Sequence, residues 1–361
     1  MLQVARGRIQ GGAFGGSTGD AGAVVITADT LIVEQEGRIA SVLGGTGAGG
    51  RLDLKVHDLI VRSGGQIRAS VDSDSREPGF ASGDAGSITI RASGSVTVTG
   101  EDSAIASRTV GTGNAGQIRI QAEQLMVADQ GQINTETLTS GHGGNITIEA
   151  NEVRLANRGG INTSSRSQDD NAGAGGNITV SAQSMLRLHD SEITTSVIGG
   201  EKNGGNIDLR ANAGLLERSN IRANAFGGPG GNIMIRTQAL ITDPTSEVPA
   251  SSALDVDGTV AVEGMIDVSG ALKPISQRFA QAEALLQNRC VERLRQQQRF
   301  RFLVRGRDRM TIDPDGLLPN PLVPTIETAA APPQWPGTDD LSLRLSHLAP
   351  AMNAWQKDCM H

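Results

Sequence analysis

The sequence predicts an all-β fold: a right-handed parallel β-helix with three short strands per coil and about nine coils, followed by a small helical or irregular C-terminal extension. Three observations carry that expectation. A corner ending in glycine returns every 26 to 36 residues, an isoleucine trails each corner by a near-constant distance, and aromatic side chains are almost missing.

The corner is clearest as GGNITI at 143–148, which comes back as GGNITV at 175–180, GGNIDL at 204–209 and GGNIMI at 230–235. Its last glycine falls at Gly22, Gly50, Gly86, Gly116, Gly144, Gly176, Gly205 and Gly231, with a degenerate ninth copy at Gly258. Ile39, Ile67, Ile105, Ile133, Ile161, Ile193 and Ile221 follow their glycines by 16 to 19 positions. Ile9 matches them without a preceding corner, so the chain is expected to begin in mid-repeat. Between the two columns lies a third apolar pair, such as Val153 and Leu155 or Leu186 and Leu188.

Each segment alternates apolar and polar residues, the period-2 signature of a half-buried strand. Glycine clusters mark the corners, because glycine accepts positive φ at little cost. A single repeat buries too few aliphatic side chains to offset the ordering of its own backbone. Stacked repeats share hydrogen bonds with their neighbours, which makes the repeat a solenoid. Nine coils at about 4.8 Å would span roughly 43 Å. Asn145, Asn177, Asn206 and Asn232 occupy one position in successive coils, predicting an asparagine ladder along the axis.

Three regions are expected: β-helix repeats over 1–270, a capping helix plus short strand over 271–316, and a proline-rich linker with a C-terminal tail over 317–361. Within 277–298, Phe279, Ala282, Leu286, Cys290 and Leu294 recur at helical spacing. Such a helix suits the open edge of the last coil.

The 361 residues include 47 Gly but only 6 Phe, 2 Trp and no Tyr, so the core must be thin and aliphatic. The net charge is −7. Nine arginines against three acids between Arg278 and Arg309 leave an acidic remainder, which argues against a nucleic-acid surface. No segment is apolar for long enough to be a transmembrane helix. His57, His142, His189, His347 and His361 share no metal-ligand spacing, and the glycine corners lack the Lys-Ser/Thr of a phosphate cradle. No cofactor is expected. A glycosidase needs paired carboxylates, and Asp20 and Asp84 share a corner position. Equivalent positions hold Asn114, His142, Ala174 or Lys202-Asn203, and Asp169-Asp170 reads as a solvated loop tip.

The GGNITI coils followed by DVDGTVAV at 255–262 resemble the filamentous-haemagglutinin-like exoproteins of cyanobacteria, the secreted partners of two-partner secretion systems. Cys290, the strand FRFLV at 300–304, Gly306-Arg307 and LLPNP at 317–321 follow in that family's order. Asp308-Arg309-Met310 and a longer insert depart from it. The resemblance covers about Ala5 to Pro321. It implies export through an Omp85-type outer-membrane transporter, read by an N-terminal secretion domain outside this sequence, and an extracellular or cell-surface location. The chain would then be part of a larger exoprotein, or a truncated product.

If the chain is secreted, Cys290 and Cys359 could form a disulfide, a device that some adhesins of this type use to tether a C-terminus. Two unpaired thiols are the alternative. Sequons at Asn145, Asn162 and Asn177 arise from the ladder in any case. The expected function is non-catalytic attachment through a repetitive polar surface, with host or neighbour cell-surface glycans or proteins as partners. The alternatives are a carbohydrate-active β-helix enzyme (a polysaccharide lyase or hydrolase) and a non-functional exoprotein fragment.

Overall fold

The structure is a computed structural model that describes residues 1–13, 17–72, 81–167 and 172–264, and residues 266–267 for their backbone. The capping helix, the proline-rich linker, Asp169-Asp170, Cys290 and Cys359 lie outside the described residues.

One coil shows how the repeat builds the fold. Strand Ile146–Ala156 is followed by a tight turn at Asn157-Arg158 and by strand Gly160–Arg166, and the next corner stands at Gly175-Gly176. Repetition of this unit stacks two all-parallel sheets into a β-solenoid of about nine turns, with no helix among the described residues. The first sheet has 12 strands, running from Leu2–Ala5 through Val24–Glu34, Ile118–Ala128 and Ile207–Glu217 to Val260–Glu263. The second has eight, from Arg8–Ala13 to Asn220–Ala225.

The register places the sequence columns inside. Ile118, Ile146, Ile178, Ile207 and Ile233 are consecutive partners in one file, each at most 1% exposed. The trailing isoleucines form a second file from Ile9 through Ile39, Ile67, Ile105, Ile133, Ile161 and Ile193 to Ile221. Leu59, Val96, Leu125, Val153 and Leu186 make the third. All three files meet in one aliphatic core. At the ninth corner that core opens: Val260 pairs with Ile233 but is 44% exposed.

Three short strands were expected per coil, yet in most coils the first two run together as one strand of about eleven residues. The three walls persist because the inward side switches mid-strand. In Ile146–Ala156, Ala150 and Val153 both face the core with Asn151 and Glu152 between them, so the strand bends at Asn151 without losing its register to Ile118–Ala128. Two coils carry one residue more between the corner isoleucine and the second wall. At Ser93-Gly94 the extra residue divides the strand into Ile88–Ala92 and Ser95–Thr99. Between Ala182 and Met185 it is absorbed as a shift in register.

The glycine corner is set by contact. A Cβ on Gly176 would lie 1.9 Å from the carbonyl oxygen of Gly144, and one on Gly144 would lie 1.9 Å from that of Gly116. No side chain fits between successive coils there. The corner is also tied to the second sheet through buried hydroxyls. Thr135 donates to Gly144 O at 2.8 Å and Thr163 to Gly176 O at 2.9 Å. Ser107 donates to Gly86 O at 3.0 Å while accepting from Gly116 N at 2.9 Å, joining two corners.

Candidate functional site

At the two corners of the coil, polar side chains that repeat in register bond one coil to the next. At the glycine corner the structure places Asn145, Asn177, Asn206 and Asn232 in one exposed column. The main-chain N–H of Asn177 donates to Asn145 Oδ1 at 2.9 Å, that of Asn206 to Asn177 Oδ1 at 3.0 Å, and that of Asn232 to Asn206 Oδ1 at 2.9 Å. Thr259 completes the file, its N–H and hydroxyl both donating to Asn232 Oδ1. The rungs therefore run chiefly from side chain to main chain; one amide–amide contact, Asn177 Nδ2 to Asn145 Oδ1 at 3.3 Å, accompanies them. In return, each ladder carbonyl accepts from the isoleucine of the coil before, as in Ile146 N to Asn177 O at 2.9 Å.

A second ladder, missed in the sequence, lies two residues before the corner glycine. Ala48 N donates to Asp20 Oδ1 at 2.7 Å, Asn114 N to Asp84 Oδ1 at 2.8 Å, His142 N to Asn114 Oδ1 at 2.8 Å and Ala174 N to His142 Nδ1 at 2.9 Å. Asp, Asn and His look unrelated as letters, but each presents one acceptor to the coil above. The two acids considered for glycoside chemistry are thus committed to the backbone.

The opposite corner, between the two sheets, uses the left-handed backbone. Asn157 and Arg158 have φ of 49° and 63°, and Gly159 follows them. Asp190 and Arg218 stand alone at φ 47°, in turns one residue shorter, and buried Ser191 and Ser219 replace the glycine. Here the rungs point the other way: Ser191 N donates to Ser219 Oγ at 3.2 Å, Ser219 N to Ser246 Oγ at 3.1 Å and Arg218 N to Asp243 Oδ2 at 3.0 Å.

Beside these turns runs a polar groove of about 820 Å³ lined in part by Glu101, Asp102, Gln130, Arg158, Asp190 and Arg218. Arg218 grips Asp190 with two nitrogens at 2.7 and 2.8 Å and holds its carboxyl below the usual range. Close by, Arg187 and then His189 lower Glu217, with contacts of 3.1 Å each. His189 bridges the two pairs, with Nε2 3.0 Å from Arg218 and Nδ1 3.1 Å from Glu217. Asp243 drops to about 2, chiefly through the Ser246 hydroxyl, with Thr245 and the Arg218 and Ser246 N–H groups adding to it. Glu34, hydrogen-bonded by Arg62 and Gln3, and Asp58, hydrogen-bonded by Ser95, are also held low. These carboxylates stay ionised at neutral pH, whereas the general acid of a glycosidase needs its pKa raised.

The sequons are similarly occupied. Asn162 Nδ2 donates to Gln132 Oε1 at 2.7 Å and Ser164 is buried, while Asn145 and Asn177 serve as rungs. Among the described residues no cluster of His, Cys, Asp and Glu could hold a metal ion, and no helix is long and apolar enough to cross a membrane. No protein-family model, no curated protein and no solved structure matches the chain.

Proposed function

We propose that the chain is a non-catalytic solenoid segment of a secreted or surface-displayed attachment protein, of the filamentous-haemagglutinin-like exoprotein class that its corner and tail sequences resemble. One observation supports this reading above the rest: the polar side chains of the two columns at the glycine corner are spent on holding coil to coil. What remains outside is a repeating polar surface on a stiff core, suited to multivalent contact with cell-surface glycans or proteins. Under this reading an Omp85-type transporter exports the parent protein and the segment works outside the cell.

The groove beside Asp190 and Arg218 gives the carbohydrate-active alternative its specific support, since an extended sugar chain could lie along it. Beads coated with the purified chain, offered to cells and to a panel of polysaccharides, separate the two. Retention of beads without new reducing ends or unsaturated uronates supports attachment. Release of either product, abolished by Asp190→Asn, transfers the groove to an enzyme.

A further inference from the structure

The outer face of the second sheet carries an arginine series whose members take different places relative to the trailing isoleucines. Arg8 and Arg38 are direct partners on neighbouring strands, each just before its isoleucine. Arg68 lies one coil on and just after Ile67, in the file of Gln10 and Ala40. Arg108 lies a further coil on and two residues further along, opposite Ser70. From Arg38 onward the series climbs the face diagonally, one strand and two residues per step, or about 8 Å between Cα positions from ordinary strand dimensions.

Like charges on adjacent strands repel, and the neighbourhood does little to relieve them. Arg8 and Arg38 form no ion pair with any described residue. Asp72 is the one described acid lining the hollow; it stands 4.0 Å from Arg68 and also accepts from the Ser70 hydroxyl at 3.0 Å. Further along, Glu136 is shared between Arg108 at 3.4 Å and Arg166 at 3.6 Å. Burial, then the charges of Arg38 and Arg108, hold the Arg68 guanidinium below the usual arginine range against the pull of Asp72. Between these side chains lies a hollow of about 160 Å³, lined by Arg8, Gln10, Arg38, Arg68, Ser70 and Asp72.

We propose that this hollow is an anion site, in which Arg8, Arg38 and Arg68 bind a carboxylate or sulfate group of an acidic polysaccharide laid along the arginine diagonal. Guanidinium groups bind such oxyanions through paired N–H donors, and an anion between them removes the repulsion that the free face carries. Gln10 adds a neutral donor for sugar oxygens. The diagonal favours a polymer over a single ion, because the charge continues past the hollow towards Arg108. The inference deepens the attachment reading by giving it a ligand class, but the arginine geometry stands without that reading.

The test uses the full chain and four probes: polygalacturonate for carboxylate, dextran sulfate for sulfate, neutral dextran, and sodium sulfate. Calorimetric titration of the wild type is compared with the triple variant R8Q/R38Q/R68Q and with R91Q/R119Q/R154Q, which removes the same charge from the other sheet. The expected result is binding of one or both acidic polymers that weakens at least about tenfold in the first triple and less than about threefold in the second, and that falls with salt. Equal weakening in both triples would reduce the effect to overall charge and overturn the site. So would binding no stronger than that of neutral dextran, or sodium sulfate competing as well, per anionic group, as the polymer.

Unliganded Arg38→Gln supplies a second readout, since relief of repulsion predicts an unchanged or higher melting temperature and a purely structural arginine predicts a lower one. Bead attachment separates the two proposals. Polymer binding in solution without attachment leaves the site standing and removes the attachment function; attachment undiminished in the first triple does the reverse.

Discussion

The two corners of the coil both place glycine where successive turns of the solenoid press together, yet they obey different rules. At the Gly144–Gly176 corner glycine recurs at every level, and from Gly50 to Gly258 the preceding coil's carbonyl oxygen sits where a Cβ would go. At the other corner Gly37, Gly65, Gly131 and Gly159 meet a similar oxygen, but Ser103, Ser191 and Ser219 stand at the equivalent position in three other coils. Chain length makes the difference. Leu188 to Ile193 and Leu216 to Ile221 each span one residue fewer than Leu155 to Ile161, Val98 to Ile105 spans one more, and each of these altered turns admits a serine. A close approach fixed by the stacking itself tolerates nothing but glycine; one fixed by a local turn can be renegotiated.

This contrast can be broken experimentally, most forcefully at the first corner. Gly176→Ala is expected to cost roughly 4 kcal/mol or to abolish cooperative folding, as measured by urea denaturation, because the clash is with backbone on a neighbouring coil. Deleting or adding a residue nearby should not rescue it. Gly159→Ser alone should cost about 2 kcal/mol, but combined with deletion of Arg158 it should recover most of that loss, since the shorter turn of the next coil is then reproduced. Failure of the deletion to help would show that turn length does not set the rule.

Smaller effects sharpen the comparison. Thr163→Val leaves the Gly176 carbonyl without its buried donor and should cost about 1–2 kcal/mol. Asn177→Ala removes an exposed rung and should cost about 0.5–1 kcal/mol by the same measurement. Asp243→Asn tests the second corner through pH. The Asp243 carboxyl is depressed to about 2, so its stabilisation is fully present above the ordinary aspartate range and is lost as pH falls through about 2. The variant should melt below the wild type at pH 7, and the gap should close over the window from about pH 4 to about pH 2.

Much of the fold was legible because stacking demands identity in register: the glycines, both isoleucine files and the four ladder asparagines recur as letters. What escaped reading depends on properties that letters hide. Asp84, Asn114 and His142 share only an acceptor. The signal for the hydroxyl column was present, since period two puts Thr163 on the same side as Ile161, yet a threonine in a strand reads equally well as a surface residue. The fusion of the first two walls follows from a bend that keeps its register, and alternation alone predicts separate strands there. The arginine diagonal stays invisible until register is known, because Arg38, Arg68 and Arg108 take three different offsets from their isoleucines.

The opposed rungs have a consequence for how such a stack can end or join. On the side facing later coils, a coil offers side-chain oxygens at its asparagine corner and N–H groups at its serine corner; on its other side the roles reverse. The two faces fit each other but neither fits itself. Broken or uncovered ends can therefore mate only head to tail, the arrangement that builds open filaments and not closed dimers.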